Sequence, residues 1–152
     1  MQRRQLDLGD FEALTAEVER LKRGGYTKVG NWDLGQVCHH LARTMQCSLD
    51  GFQEKAPWLL RVFVAPIFKR RIFKTRAMPA GIKGPPSLMP GPQVHETTAV
   101  KYFDEQLARV RDNTGSFQSH PFFGKLTNEE WKQLHLIHAS LHVGFLTPRE
   151  GP

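Results

Sequence analysis

The sequence predicts an all-α chain, four helices in a bundle with a helical, Pro/Gly-rich insertion between the second and third. Three observations predict it. Apolar residues recur at three- and four-residue spacing in four separate stretches, Gly and Pro fall in the gaps between them, and no stretch alternates as a strand-rich fold would. A length of 152 residues suits one domain, residues 1–152, able to bury a core without disulfide or metal staples. Hydrophobic content of 39% against 24% charge is that of an ordinary globular chain, with 10 Phe and 3 Trp as bulky core side chains.

The first helix spans about residues 10–23, where Phe11, Leu14, Val18 and Leu21 share a face, Asp10 caps the start and Gly24-Gly25 stops it. The second begins with Asn31 as its cap and runs to about residue 52 through Leu34, Val37, Leu41, Met45 and Leu49. Residues 57–76 interleave Trp58, Leu59, Leu60, Val62, Phe63, Val64, Ile67 and Phe68 with Arg61, Lys69, Arg70, Arg71 and Lys74. They read as a helical insertion, kinked at Pro66, that buries its apolar stripe and solvates its charges. Pro79, Pro85, Pro86, Pro90 and Pro92 then forbid helix, so the chain should wrap the bundle as a long ordered loop of the kind that often serves as a lid. A third helix from about residue 97 places Val100, Phe103, Leu107 and Val110 on one side and ends before Gly115. The last starts at Thr127, which with Glu130 three residues on has the form of a capping box.

That last helix carries the chemistry. His135, His138 and His142 in WKQLHLIHASLHVGFL lie within about 60° of one another around the helix axis, on the face that also holds Trp131, Leu134, Leu141 and Phe145. An apolar interface desolvates imidazole and favours its neutral, metal-binding form. His40 lies in the second helix, and one ligand from that helix with His138 and His142 would make a three-imidazole site with open positions for water or substrate. Neutral imidazoles suit zinc, nickel, iron, copper or manganese, and ligand type alone does not rank them. The competing reading of H-x-x-x-H alone is histidines satisfied by carbonyls or hydroxyls in a core. Ala139 stands where a zincin carries its glutamate base, which excludes that protease pattern.

Other residues are candidates of lower rank. Gln36 and Thr44, one turn to either side of His40, could orient a substrate, and His135 could serve as an alternative ligand or donate to one; polar packing competes for all three. His39 is turned about 100° from His40, so only one of the two can face that interface; the other is a surface or helix-contact residue. Cys38 and Cys47 are about 13 Å of rise apart on opposite sides of a helix, too far to bridge, and read as buried, reduced thiols. His120 reads as a turn residue, and His95 closes the Pro-rich loop without an evident partner.

NWDLGQVCHHLA, HPFFGKLTNEEW and the terminal HASLH together resemble the DinB-like (YfiT-like) superfamily, in a branch without assigned function. The resemblance covers both ends of the bundle and not the insertion at about residues 54–95. It implies a DinB-like metal-binding four-helix bundle, commonly a homodimer, with His40, His138 and His142 in the three ligand positions and a divalent metal as cofactor. Some members are thiol-dependent S-transferases or isomerases using bacillithiol, mycothiol or glutathione, so a small-molecule thiol cosubstrate is implied too. Val143-Gly144-Phe145 follows the last ligand here, where many members carry polar residues such as Arg-Gly-Gln.

The net charge of +6 comes largely from the insertion, and no nucleic-acid-binding motif accompanies it. No apolar run reaches the length of a membrane span and the start lacks a signal-peptide pattern, so a cytoplasmic location is expected. The rival to a metal-dependent transferase is a non-catalytic bundle, dimeric, that meets a partner through its basic insertion.

Overall fold

The computed structural model describes residues 2–149. Its helices are α1 (Phe11–Gly24), α2 (Leu34–Asp50), α3 (Ala65–Thr75), α4 (Glu96–Asp112) and α5 (Asn128–Val143), with a two-stranded antiparallel ribbon of β1 (Tyr26–Lys28) and β2 (Leu146–Pro148). The fold class is all-α, as the periodicity predicts. The ribbon is an addition that three-residue strands without alternation gave no means of finding; it pairs Thr27 with Thr147 and ties the end of α1 to the end of α5.

Each helix start has a local cause. Asp10 caps α1, its carboxylate accepting from Ala13 N at 2.7 Å. The cap of α2 is Asp33 rather than Asn31: its carboxylate accepts from Gln36 N at 2.8 Å, and Gln36 Oε1 accepts from Asp33 N at 3.1 Å, a reciprocal box that places the first helical residue at Leu34. Thr127 and Glu130 form the corresponding box at α5, as expected. In the insertion, a π turn at Leu60–Val64 precedes Pro66, which falls in the first turn of α3. The wide turn and the helix start accommodate a residue that lacks an N–H and whose ring would clash with the carbonyl four back in a continuous α-helix.

The main core takes Leu14, Val18 and Leu21 from α1, Leu34, Val37, Leu41 and Met45 from α2, Val100, Phe103 and Leu107 from α4, and Leu136, Ala139 and Val143 from α5. The predicted apolar faces of α1, α2 and α4 are therefore buried, whereas α5 is buried on more than its predicted face, giving Leu136, Ala139 and Val143 to this core while Trp131 and Leu134 pack elsewhere. Helices α2 and α4 pack closely because Gly35 has no Cβ: one placed there would lie 3.1 Å from Glu96 Cα and 3.2 Å from the Val94 carbonyl oxygen. A second cluster joins Ile72 of α3 to Trp131, Leu134 and Ile137 of α5, with Phe52, Phe68 and Phe123 around it. The insertion thus sits on the outside of α5.

Its outer face departs from expectation. Ala65 and Ile72 point inward, but Trp58, Leu59, Leu60, Val62, Phe63, Val64 and Ile67 are exposed, so the apolar stripe is not buried. Two kinds of surface exist on one segment, an inner face that α5 covers and an outer one left exposed among the described residues. Among the described residues no helix is long and apolar enough to cross a membrane.

Candidate metal centre

His40 stands in the middle of α2, and His138 and His142 occupy successive turns near the end of α5. The packing of α2 on α5 brings one ring from the first helix against two from the second. His138 Nε2 lies 3.2 Å from His40 Nε2 and 3.0 Å from His142 Nε2. One nitrogen from each ring lies within 4.8 Å of the others.

Proton accounting decides what this cluster is suited to hold. His40 Nδ1 lies 2.8 Å from the Leu88 carbonyl oxygen, which can only accept, so Nδ1 carries the proton and Nε2 of neutral His40 presents a lone pair. His138 Nε2 then has at most one proton for two nitrogen neighbours. One of the two contacts therefore lacks a well-aligned N–H···N bond. A second proton would relieve this by making an imidazolium, but burial opposes that. His40 is held below its ordinary range by desolvation, with the Leu88 carbonyl acting the other way. Desolvation, then His142 and His40, hold His138 well below it, and desolvation, then His40 and Arg3, push His142 down to about 3. Converging neutral imidazoles are what a divalent ion needs, because at metal–nitrogen bonds of about 2.0–2.1 Å neighbouring ligand nitrogens sit roughly 3.0–3.4 Å apart. The residues present fit a metal ion.

The surroundings fix the rings. The Trp32 indole stacks on His142 with centroids 5.2 Å apart and 19° between planes, and tilts over His40 at 4.9 Å. The Pro-rich loop contributes more than cover: a 3-10 turn at Pro86–Leu88 presents the Leu88 carbonyl to His40, and Glu54 anchors it by accepting from the Ser87 hydroxyl at 2.7 Å. A carbonyl on the far nitrogen of a ligating histidine orients the ring and selects its tautomer. A backbone oxygen leaves no mark in side-chain spacing; the only signal for it was the ordered, proline-rich character of the segment.

The remaining candidates are committed elsewhere. Gln36 closes the α2 cap and its Nε2 donates to the Gly91 carbonyl at 2.9 Å, fastening the same loop. Thr44 Oγ1 donates to the His40 carbonyl at 3.0 Å. His135 does not join the cluster: it is buried, stacked on Trp131 with centroids 5.3 Å apart, and bonded through Nε2 to Ser48 Oγ at 2.9 Å. Desolvation and, less, His120 push it down to about 3. His120 is a turn residue as expected, its Nδ1 accepting from Phe122 N and Phe123 N at 3.0 Å each, and burial lowers it to about 4. His39 faces Tyr102, with centroids 5.8 Å apart, and His95 caps α4 without a side-chain bond. Cys38 and Cys47 are free, buried and raised by desolvation, so both are poor nucleophiles.

Residues 1–149 match a protein family described as "Protein of unknown function (DUF1569)". No curated protein and no solved structure matches the chain.

Proposed function

We propose that this chain, which belongs to the DUF1569 family, holds a divalent transition metal through His40, His138 and His142 and uses it in thiol-dependent group transfer or a related reaction. The observation that carries the reading is the meeting of three neutral imidazole nitrogens, at 3.0 and 3.2 Å, with too few protons to satisfy one another. Three protein ligands leave at least one coordination position open, the arrangement of a reactive rather than a purely structural site. The chemistry such an ion supplies is Lewis acidity, which makes a thiol or water acidic enough to act as a nucleophile near neutral pH.

The chain's own groups set the conditions. Leu88 holds His40 in one tautomer, and Trp32 covers one side of the cluster and limits the approach of water. The resemblance to DinB-like proteins, carried by NWDLGQVCHHLA and HASLH, is what supports a thiol such as bacillithiol, mycothiol or glutathione, and a homodimer. In the transfer the thiol sulfur forms the new bond to an electrophilic carbon, the leaving group departs with its electron pair, and the thiol proton goes to solvent.

The test is metal content of untagged protein by elemental analysis, beside His40→Ala and His138→Ala. About one equivalent per chain, lost in both variants while the helical signal persists, is the expected result. Absence of metal after incubation with zinc, nickel or manganese overturns the proposal and leaves the histidines as a core cluster. With metal bound, consumption of each thiol against an electrophile is then compared in wild type and His138→Ala.

A further inference from the structure

Residues 55–95 contain Lys55, Arg61, Lys69, Arg70, Arg71, Lys74, Arg76 and Lys83 and not one Asp or Glu. Among the described residues two of these charges are paired, Lys69 with Glu130 at 2.8 Å and Arg76 with Asp7 at 2.9 Å. Arg70, Arg71 and Lys74 are exposed along the outer face of α3. The same outer face, one to three turns earlier, is apolar: Trp58 is 65% exposed, Phe63 63% and Ile67 72%, with Leu59, Val62 and Val64 between them. At the edge of this face a cavity of about 220 Å³ lies between Trp58, Val62, Phe122, Phe123 and Arg61. Arg61 Nε is buried there without a hydrogen-bond partner among the described residues.

We infer that this outer face docks on an anionic lipid bilayer, with Trp58, Phe63 and Ile67 entering the headgroup boundary, Arg70, Arg71 and Lys74 against lipid phosphates, and Arg61 taking a phosphate oxygen at its edge. Contiguous exposed apolar side chains of this size mark an interaction surface. A helix with Trp, Phe and branched aliphatics outward and Lys and Arg beside them is the pattern of interfacial membrane binding. The lack of any acidic residue across the segment chooses the partner's sign. A second copy is the poorer occupant, because a two-fold contact brings the patch onto itself and each chain already carries +6.

The experiment is flotation of the full chain with phosphatidylcholine vesicles, with and without phosphatidylglycerol, together with tryptophan emission and sedimentation velocity. Wild type should float with the anionic vesicles, less so in high salt, and show a blue shift that Trp58→Phe removes. Phe63→Asp with Ile67→Asp should abolish flotation; both sites are exposed, and an unchanged thermal melt shows that the fold is kept. Reversing Arg70, Arg71 and Lys74 to Glu should weaken partition by about 100-fold or more, at roughly fivefold for each basic residue lost. Failure to float with anionic vesicles, or flotation indifferent to both sets of changes, overturns the inference. A dimer that Phe63→Asp splits, without vesicle binding, assigns the face to a contact between copies instead.

Discussion

His135 is a buried imidazole with one hydrogen-bond partner, and its energetics can be tested by acid. In the folded chain it stays neutral down to about 3, because desolvation between Trp131 and Ser48 penalises the cation. Unfolded, it takes a proton near its ordinary value of about 6.5. Between those limits the unfolded state binds one more proton, so its contribution to stability is fully present above about 6.5 and falls as the pH falls toward 3. The slope reaches about 1.4 kcal/mol per pH unit once the unfolded imidazole is fully protonated, which amounts to about 2 kcal/mol between pH 6.5 and 4.5. His135→Gln keeps a polar group for Ser48 but does not titrate. Urea unfolding of metal-free protein at a series of pH values should therefore show the stability gap between wild type and variant shrinking by about 2 kcal/mol over that range, less whatever the unfolded chain's own charges take back. Parallel curves for the two proteins would refute the reasoning, since they would mean that His135 is no harder to protonate folded than unfolded.

Gly35→Ala drives a Cβ to 3.1 Å from Glu96 Cα, a backbone atom that cannot swing aside. It should cost about 1–3 kcal/mol in urea unfolding, and a neutral result would show that α2 and α4 can part without strain. Trp32→Ala uncovers the His40 and His142 rings; metal should leave faster in a chelator chase, with stoichiometry unchanged, and unchanged release would deny Trp32 its covering role. Ser87→Ala cuts the Glu54 tether of the turn that presents the Leu88 carbonyl, so metal affinity should fall about 10- to 100-fold in a competition titration while His40 remains a ligand. The same affinity in wild type and Ser87→Ala would show that the turn holds without its tether.

Local periodicity made the helices legible. Phe11, Leu14, Val18 and Leu21 are all buried as their spacing requires, and the Thr127–Glu130 box places the start of α5 where the sequence put it. The α2 cap moved from Asn31 to Asp33 because both residues are cap formers two positions apart. Only the reciprocal bond with Gln36 distinguishes them, and a three-residue spacing to Gln exists for Asp33 alone. The insertion was misjudged on one face because composition does not say what covers a helix. Ile72 meets Trp131 and Leu134, whereas Phe63 is left 63% exposed, and that difference depends on where the segment docks.

The site shows the same division. Helical phase put His138 and His142 on one face, and the resemblance carried by NWDLGQVCHHLA and HASLH singled out His40 as the residue that α2 brings to them. Phase also placed His135 on that face, yet three residues earlier on a straight helix is about 4.5 Å further along the axis, far enough for Ser48 rather than His40 to be its neighbour. What no side-chain pattern could show is that the loop of residues 77–95 supplies a backbone acceptor to His40 and is itself fastened through Gln36 and Ser87. The loop and α2 therefore depend on each other. Gln36 starts α2 and also grips Gly91, so the residue that sets where this helix begins also holds down the segment that orients its His40.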